Sequence, residues 1–244
     1  MQVNKPENFK ENVIKALAQP NLKKVIRRTT DKAESQRAQA IANFPEFENA
    51  RTQGQKIKDH TIKYMGHYLA EFERNALARG TMVHWASTAQ EASKIVLDIC
   101  HQHKAKTVTR SKSMLGEEIG LPHAFDNSEI ERIETDLAEH IIQLAGDPPS
   151  HIVWPAMHRS REDVIKLFRE FHKDPSYSEE IVDLVGSARR DLRSKFLNSD
   201  IGISGANFLL ADSGSSCTVT NEGNAELTTT PPKVHIITAG IEKL

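Results

Sequence analysis

Residues 199–230, SDIGISGANFLLADSGSSCTVTNEGNAELTTT, constrain the fold more than any other part of the chain. Two short apolar runs, 201–203 and 208–211, each give way to small or turn-forming residues. A third run, 217–220, is rich in β-formers and ends at Asn221-Glu222-Gly223-Asn224. Runs of this length, bounded by Gly, Ser, Asn and Asp, suit strands better than helices. Gly202, Gly205, Gly214 and Gly223 accept backbone angles closed to other residues and let a ligand approach the main chain. Asn207, Asp212, Ser213, Asn221, Glu222 and Asn224 then fall at strand ends, where α/β sheets place their binding sites. A series of ordinary turns in a β-rich region gives the same pattern.

Upstream, strand-like and helix-like segments alternate. Residues 82–86, 107–109, 131–134 and 151–154 read as strands, and Ser87 or Thr88, Thr135-Asp136 and Ser160 stand where helix N-caps belong. A helix over about 178–198 leads into the glycine-rich stretch. Such alternation predicts a parallel sheet with helices on both faces and right-handed crossovers. The segment after Ile201 leaves little room for helices, which predicts hairpins or a meander there. The expected class is therefore α/β, with a mixed, partly parallel sheet flanked by helices.

Residues 1–80 read as helical. Phe9, Val13, Ile14 and Leu17 recur at helical spacing, a second helix spans about 22–41, and one long helix carries Ile57, Ile62, Met65, Leu69, Phe72 and Leu77 to a stop at Gly80. The basic cluster Lys23, Lys24, Arg27 and Arg28 fits a solvated helix face. The expected division is a helical N-terminal extension, 1–80, and an α/β domain, 81–244. Residues 234–238 form a last strand-like run with little after it. A strand in a parallel sheet needs a covered face, so the expectation is that the domain continues past Leu244 or that another chain covers it. A short edge strand is the alternative.

Composition narrows the chemistry. The 244 residues carry a formal net charge of -1, which gives no reason to expect nucleic acid or an anionic membrane as partner. The 11 histidines show no HExxH or other metal spacing, so no metal site is expected. Cys100 and Cys217 belong to no CxxC, which suits a reduced, cytoplasmic protein. No run approaches the ~20 apolar residues of a membrane span. Lys112, between Ser111 and Ser113 at a strand-to-helix turn, offers an ammonium, hydroxyls and backbone N–H groups to an anion, although no GxxxxGK[ST] pattern is present. A surface lysine between two capping serines fits equally. Glu117, Glu118, Glu134, Asp136 and Glu139 gather near the same strand ends and serve, at minimum, the helix dipoles. His158 is a candidate for ligand binding or proton transfer. Glu222, flanked by Asn221 and Gly223 in a turn, is the best-placed carboxylate for chemistry, and a tight turn with an exposed acid reads the same way.

SKSMLGEEI, ETDLAEHIIQL, DPPSHIVWPAMH, SDIGISGANFLLADSGS and TNEGNAEL follow one another in this order. With these segments the chain resembles the lactate utilisation protein B family, whose main domain is the LUD domain, over nearly its whole length. The resemblance implies an α/β fold similar to the NagB/RpiA/CoA-transferase superfamily. It also implies a role in oxidising L-lactate to pyruvate, as one subunit of a three-part iron–sulfur system with the other subunits as partners. Full-length members continue into a ferredoxin-like module whose CxxCxxCxxxCP runs hold two 4Fe-4S clusters. This sequence has no such runs, so no cofactor is expected within it. Superfamily members use a glutamate or bind anionic ligands near strand ends. That likeness makes Glu222 the candidate catalytic residue. Lys112, Ser111, Ser113, Asn207, Asp212, Asn221 and Gly223 are the candidates for holding a small anion. Two alternatives stand beside this reading: a non-catalytic assembly domain, and a stand-alone CoA-transferase-like enzyme using Glu222.

Overall fold

Short runs rich in Val, Ile and Thr, too brief for helices, supply the strands of a central sheet. The computed structural model describes residues 8–18, 22–151, 154–172, 178–220 and 222–244. In chain order the elements are α1 (Phe9–Leu17), α2 (Leu22–Ala42), α3 (Phe47–Lys63), α4 (Met65–Ala78), α5 (Ala89–Gln102), β1 (Thr107–Arg110), α6 (Met114–Glu118), α7 (Leu121–Asp126) and β2 (Glu131–Glu134). They continue as α8 (Leu137–Ala145), α9 (Arg161–Phe171), α10 (Ile181–Asn198), β3 (Ile201–Gly205), β4 (Phe208–Leu210), β5 (Ser215–Cys217), α11 (Asn224–Thr229) and β6 (Val234–Thr238), before a 3-10 turn at Ile241–Lys243. The sheet has four strands in the order β2-β1-β3-β6, and every neighbouring pair is parallel. The antiparallel pairing expected after Ile201 is confined to the separate β4–β5 hairpin.

Alternation along the strands sorts the helices into two layers. Val108, Ile201, Ile203 and Ile236 pack with Val96 and Cys100 of α5 and with Leu121 and Phe125 of α7. On the opposite face Ile133 meets Leu192 and Phe196 of α10. Gly202 faces α11 there, and a side chain at 202 would put Cβ 1.8 Å from the Thr228 carbonyl oxygen. The close approach foreseen at Gly202 is thus to a helix backbone and not to a ligand. Outside this layer, Ile141, Ile165, Phe168, Leu184 and Ala188 join α8, α9 and α10. The caps fall where the sequence puts them: Thr88, Asp136 and Ser160 each accept backbone N–H groups of the following helix, and Ser160 forms a capping box with Asp163.

Four expectations change. Residues 82–86 form no strand; Met82 and Trp85 are exposed, and the Trp85 indole donates to Glu73 Oε1 of α4 at 2.8 Å. The sheet's edges are β2 and β6, and 82–86 pairs with neither. His151 and Trp154 lie in no strand, while Ile152 and Val153 fall outside the described residues. The single long helix before Gly80 is two, parted at Tyr64, whose φ of -115° and ψ of 26° leave the helical region. Finally, the crossover from β3 to β6 contains a helix, α11, so β6 joins β3 in parallel and not as a meander partner. Lys23, Lys24, Arg27 and Arg28 are exposed on α2, as a solvated face requires. Among the described residues no helix is long and apolar enough to cross a membrane.

Candidate functional site

The chain leaves β1 toward β2 on one side, and leaves β3 toward β6 on the other. Loops that follow β1 and β3 therefore diverge, and such a reversal of strand order opens a crevice at the carboxyl ends of parallel strands. One wall is the turn Ser111-Lys112-Ser113. The other begins at Gly205. The two walls meet at Ser113, because a side chain at 205 would place Cβ 2.9 Å from Ser113 Oγ. Ser113 Oγ caps α6 by accepting the Gly116 N–H at 3.1 Å, and lies 3.5 Å from Thr238 Oγ1 at the end of β6. Ser111 is buried and its N–H donates to the Ile203 carbonyl at 3.0 Å, which extends the β1–β3 pairing into the turn.

Over this rim stands the first turn of α8. Asp136 Oδ1 accepts the N–H groups of Ala138 at 3.0 Å and Glu139 at 3.2 Å. The Leu137 N–H goes to the Glu222 carboxylate. Burial raises the Glu222 pKa, as does the Asp136 carboxylate, while the Leu137 N–H and the Lys112 ammonium pull it down. Lys112, Asp136 and Glu222, from three separate loops, are thus electrostatic neighbours at one helix N-terminus. Gly223 follows directly, with φ of 80°, as the N-cap of α11. Asn224 Nδ2 reaches Thr135 Oγ1 at 3.5 Å, which ties this loop to the end of β2.

The remaining candidates sit elsewhere. Asn207 closes the base of the hairpin: its Oδ1 accepts the Val219 N–H at 2.8 Å and its own N–H donates to the Cys217 carbonyl at 2.8 Å. Asp212 lies at the hairpin tip, the far end from Gly205, where its carbonyl accepts from Asn75 Nδ2 of α4 at 3.1 Å. Asn221 lies outside the described residues. His158 is paired with Asp147 at 2.9 Å, beside Arg159 at 2.6 Å, and so braces the loop after α8.

The structure adds a buried charge network under the rim. Arg110 ends β1 and stands opposite Glu134, the end of β2. Arg110 is 1% exposed and donates to Glu134 Oε1 at 2.7 Å and Glu117 Oε1 at 3.0 Å. Arg132 donates to the same Glu134 oxygen at 2.6 Å, leaving Glu134 Oε2 buried with no hydrogen bond. Burial pushes the Glu139 carboxyl up to about 8, reinforced by Glu134, Asp136 and Glu117 and opposed by Arg110. Glu139 is therefore disposed to keep its proton well above the usual carboxylate range, a property that its position in sequence does not reveal. A charge at the end of each of two adjacent strands was the available signal for Arg110 and Glu134.

Two open clefts, of about 320 and 210 Å³, run along α10, the second beside Thr107 and Glu131 at the opposite, N-terminal end of the strands. Neither lies where the strand order reverses; the topology and the neighbouring charges mark the rim instead. A four-thiolate iron–sulfur cluster of the kind the resemblance implies for longer members finds no donor set here. The chain has two cysteines; Cys100 is buried in the core with its thiol pushed up to about 11 by burial, and Cys217 lies on the hairpin.

Comparison with known proteins gives a consistent pattern. The LUD domain profile matches residues 69–244. Lactate utilization protein B of Bacillus subtilis (strain 168) is 37% identical over 237 residues, which cover 97% of this chain and 49% of that protein. The protein of the same name from Lysinibacillus sphaericus (strain C3-41) is 38% identical over 237 residues, covering 97% and 50%. That of Bacillus cereus (strain AH820) is 38% identical over 208 residues, covering 85% and 44%. The chain spans about half the length of these curated relatives. No solved structure matches.

Proposed function

The chain belongs to the LUD domain family, and on that premise we propose that it contributes the LUD domain to lactate utilisation. The finer reading is oxidation of L-lactate to pyruvate within a multi-subunit iron–sulfur system. In this reading the chain binds a small hydroxycarboxylate anion in the crevice between β1 and β3. The supporting observation is the electrostatic coupling of Lys112 and Glu222 near the first turn of α8, beside the reversal of strand order. Lys112 supplies an ammonium for the ligand's carboxylate. The helix N-terminus favours negative charge in the same place. Glu222, held by the Leu137 N–H and lifted by burial, is the group that takes a proton from the ligand's hydroxyl. Lactate oxidation also removes the Cα hydrogen with its electron pair, formally a hydride, and we assign the acceptor of that hydrogen and its two electrons to a group outside these 244 residues, since four-cysteine ligation has no counterpart within them.

The experiment is lactate-dependent electron transfer by the reconstituted complex. Lys112→Ala should raise the lactate concentration needed for half-maximal rate by roughly ten- to a hundredfold, the loss expected for one hydrogen bond to a charged ligand. Glu222→Gln should lower turnover at saturating lactate. Wild-type rates in both variants, with an unchanged circular dichroism spectrum, would remove the site.

A second reading, an assembly role, is favoured by apolar side chains that stand exposed on the N-terminal helices, among them Phe9 at 68%, Leu17 at 80% and Ile57 at 66%. It predicts association with partner subunits by way of these helices. A chain that stays monomeric in sedimentation when mixed with those subunits would count against it.

A further inference from the structure

Behind α8, away from the rim, lies a second group of ionisable side chains that the proposed chemistry does not use. His140 belongs to α8, His172 is the C-cap of α9 and Asp191 belongs to α10. Both histidines are buried, His140 to 1% and His172 to 7% exposure. We propose that His140, His172 and Asp191 form a binding site for a divalent transition metal, Zn2+ or a close analogue, which pins these three elements together.

The geometry carries the proposal. His140 Nε2 and His172 Nε2 face each other at 3.1 Å. Two imidazoles on one tetrahedral zinc, each about 2.0–2.1 Å from it, stand about 3.3 Å apart. Asp191 Oδ2 lies 3.9 Å from His140 Nε2, and the three donor atoms all fall within 4.8 Å of one another. Two imidazoles and a carboxylate are a donor set suited to zinc, with a fourth position left for water.

The surroundings orient these donors. His172 Nδ1 lies 2.8 Å from Ser187 Oγ. With its proton on Nδ1 and donated to that hydroxyl, the ring turns the lone pair of Nε2 toward His140, as an outer partner does for a metal-bound histidine. Phe168 stacks on the His172 ring at 4.1 Å between centroids and an interplanar angle of 30°, which fixes its plane. Without an ion, the Nε2···Nε2 contact is held by one proton, on His140 Nε2. When an ion binds, that proton shifts to His140 Nδ1, a buried atom with no hydrogen bond of its own. Burial, Lys195 and His172 bring the His140 pKa down to about 4 against the pull of Asp191, and burial also lowers that of His172. Both shifts run toward the neutral imidazole, the form a metal requires.

One cation already faces the group. Lys195, one turn along α10, pairs with Asp191 Oδ2 at 2.6 Å. Its side chain is 32% exposed and has solvent to retreat into. Lys195 therefore competes with an ion for Asp191, and its removal should strengthen binding. A purely structural histidine pair gives no reason for that effect.

The test uses the 244-residue chain, stripped with EDTA and titrated with Zn2+ against a chromophoric chelator, and with Co2+ for its visible absorption. The expected result is one equivalent of Zn2+ per chain, lost in His172→Gln. Ser187→Ala should weaken binding roughly tenfold, the lower end for loss of an outer partner, and Lys195→Met should tighten it. Two results would overturn the site: no stoichiometric binding by the wild type, or binding that survives His172→Gln, which would mark an adventitious ion on other histidines. If His172→Gln fails to fold by circular dichroism, the peripheral variants decide, and Lys195→Met with unchanged or weaker binding refutes the proposal.

Discussion

The N-terminal helices and the α/β body both carry apolar patterns, which meet opposite fates. Among the described side chains, α1 and α3 bury none, and α4 buries only Ala76. In β3, by contrast, Ile201, Gly202, Ile203 and Ser204 are all buried. An apolar stripe says which face of a helix seeks cover, and only the tertiary partner decides whether cover arrives. In the body the sheet supplies it. The arm of helices meets the body at definite points: Asn75 Nδ2 donates to the Ala211 carbonyl at 2.8 Å, and Lys58 Nζ donates to the Glu242 carbonyl at 2.9 Å. Gly214 adds a third, with φ of 63° and so little space that a Cβ there would lie 2.2 Å from the Ala76 nitrogen.

This contrast is open to attack by substitution. The largest effect belongs to the body. Arg110→Met strips one partner from Glu134 and Glu117 while leaving Glu134 buried, and should cost about 3 kcal/mol or more in urea denaturation. A loss below about 1 kcal/mol would mean that the rim network is solvated like the arm. At the junction, Gly214→Ala forces a side chain into a left-handed turn and against α4, for roughly 1–3 kcal/mol. Its distinctive mark should be faster proteolysis of the arm with the body still protected; uniform sensitivity would show that the two regions unfold as one. The smallest effect belongs to the arm. Ile57→Ser, at a side chain 66% exposed, should stay within about 0.5 kcal/mol of wild type in thermal melts. A loss of several times that size would show that α3 is packed.

The same division explains what could be read in the sequence. Caps were legible at Thr88, Asp136 and Ser160 because an N-cap is a local bargain between one side chain and the next turn. So were β1 and β2, whose patterns are complete within four residues each. Helix α11 was not, since NAELTT is short and rich in threonine, and its place is fixed by Thr228 packing on Gly202 across the sheet. The strand-like composition of 82–86 failed because the segment pairs with neither edge strand and is tied instead to α4, through Trp85 and Glu73. Lys112 and Glu222 were marked by their turns, yet their meeting depends on strand order, which periodicity does not encode. His140, His172 and Asp191 gave no sign at all, since they come from three elements and share no spacing motif.

The grip of the hairpin tip on α4 has a consequence for observation. Hairpin and crevice wall are continuous through Asn207, and the Trp85 indole is tied to Glu73 on α4. A shift of the hairpin that moves α4 displaces the bond partner of that indole, which is 47% exposed. The protein thus carries its own optical gauge, a native fluorophore connected by a short mechanical linkage to the wall of its candidate site.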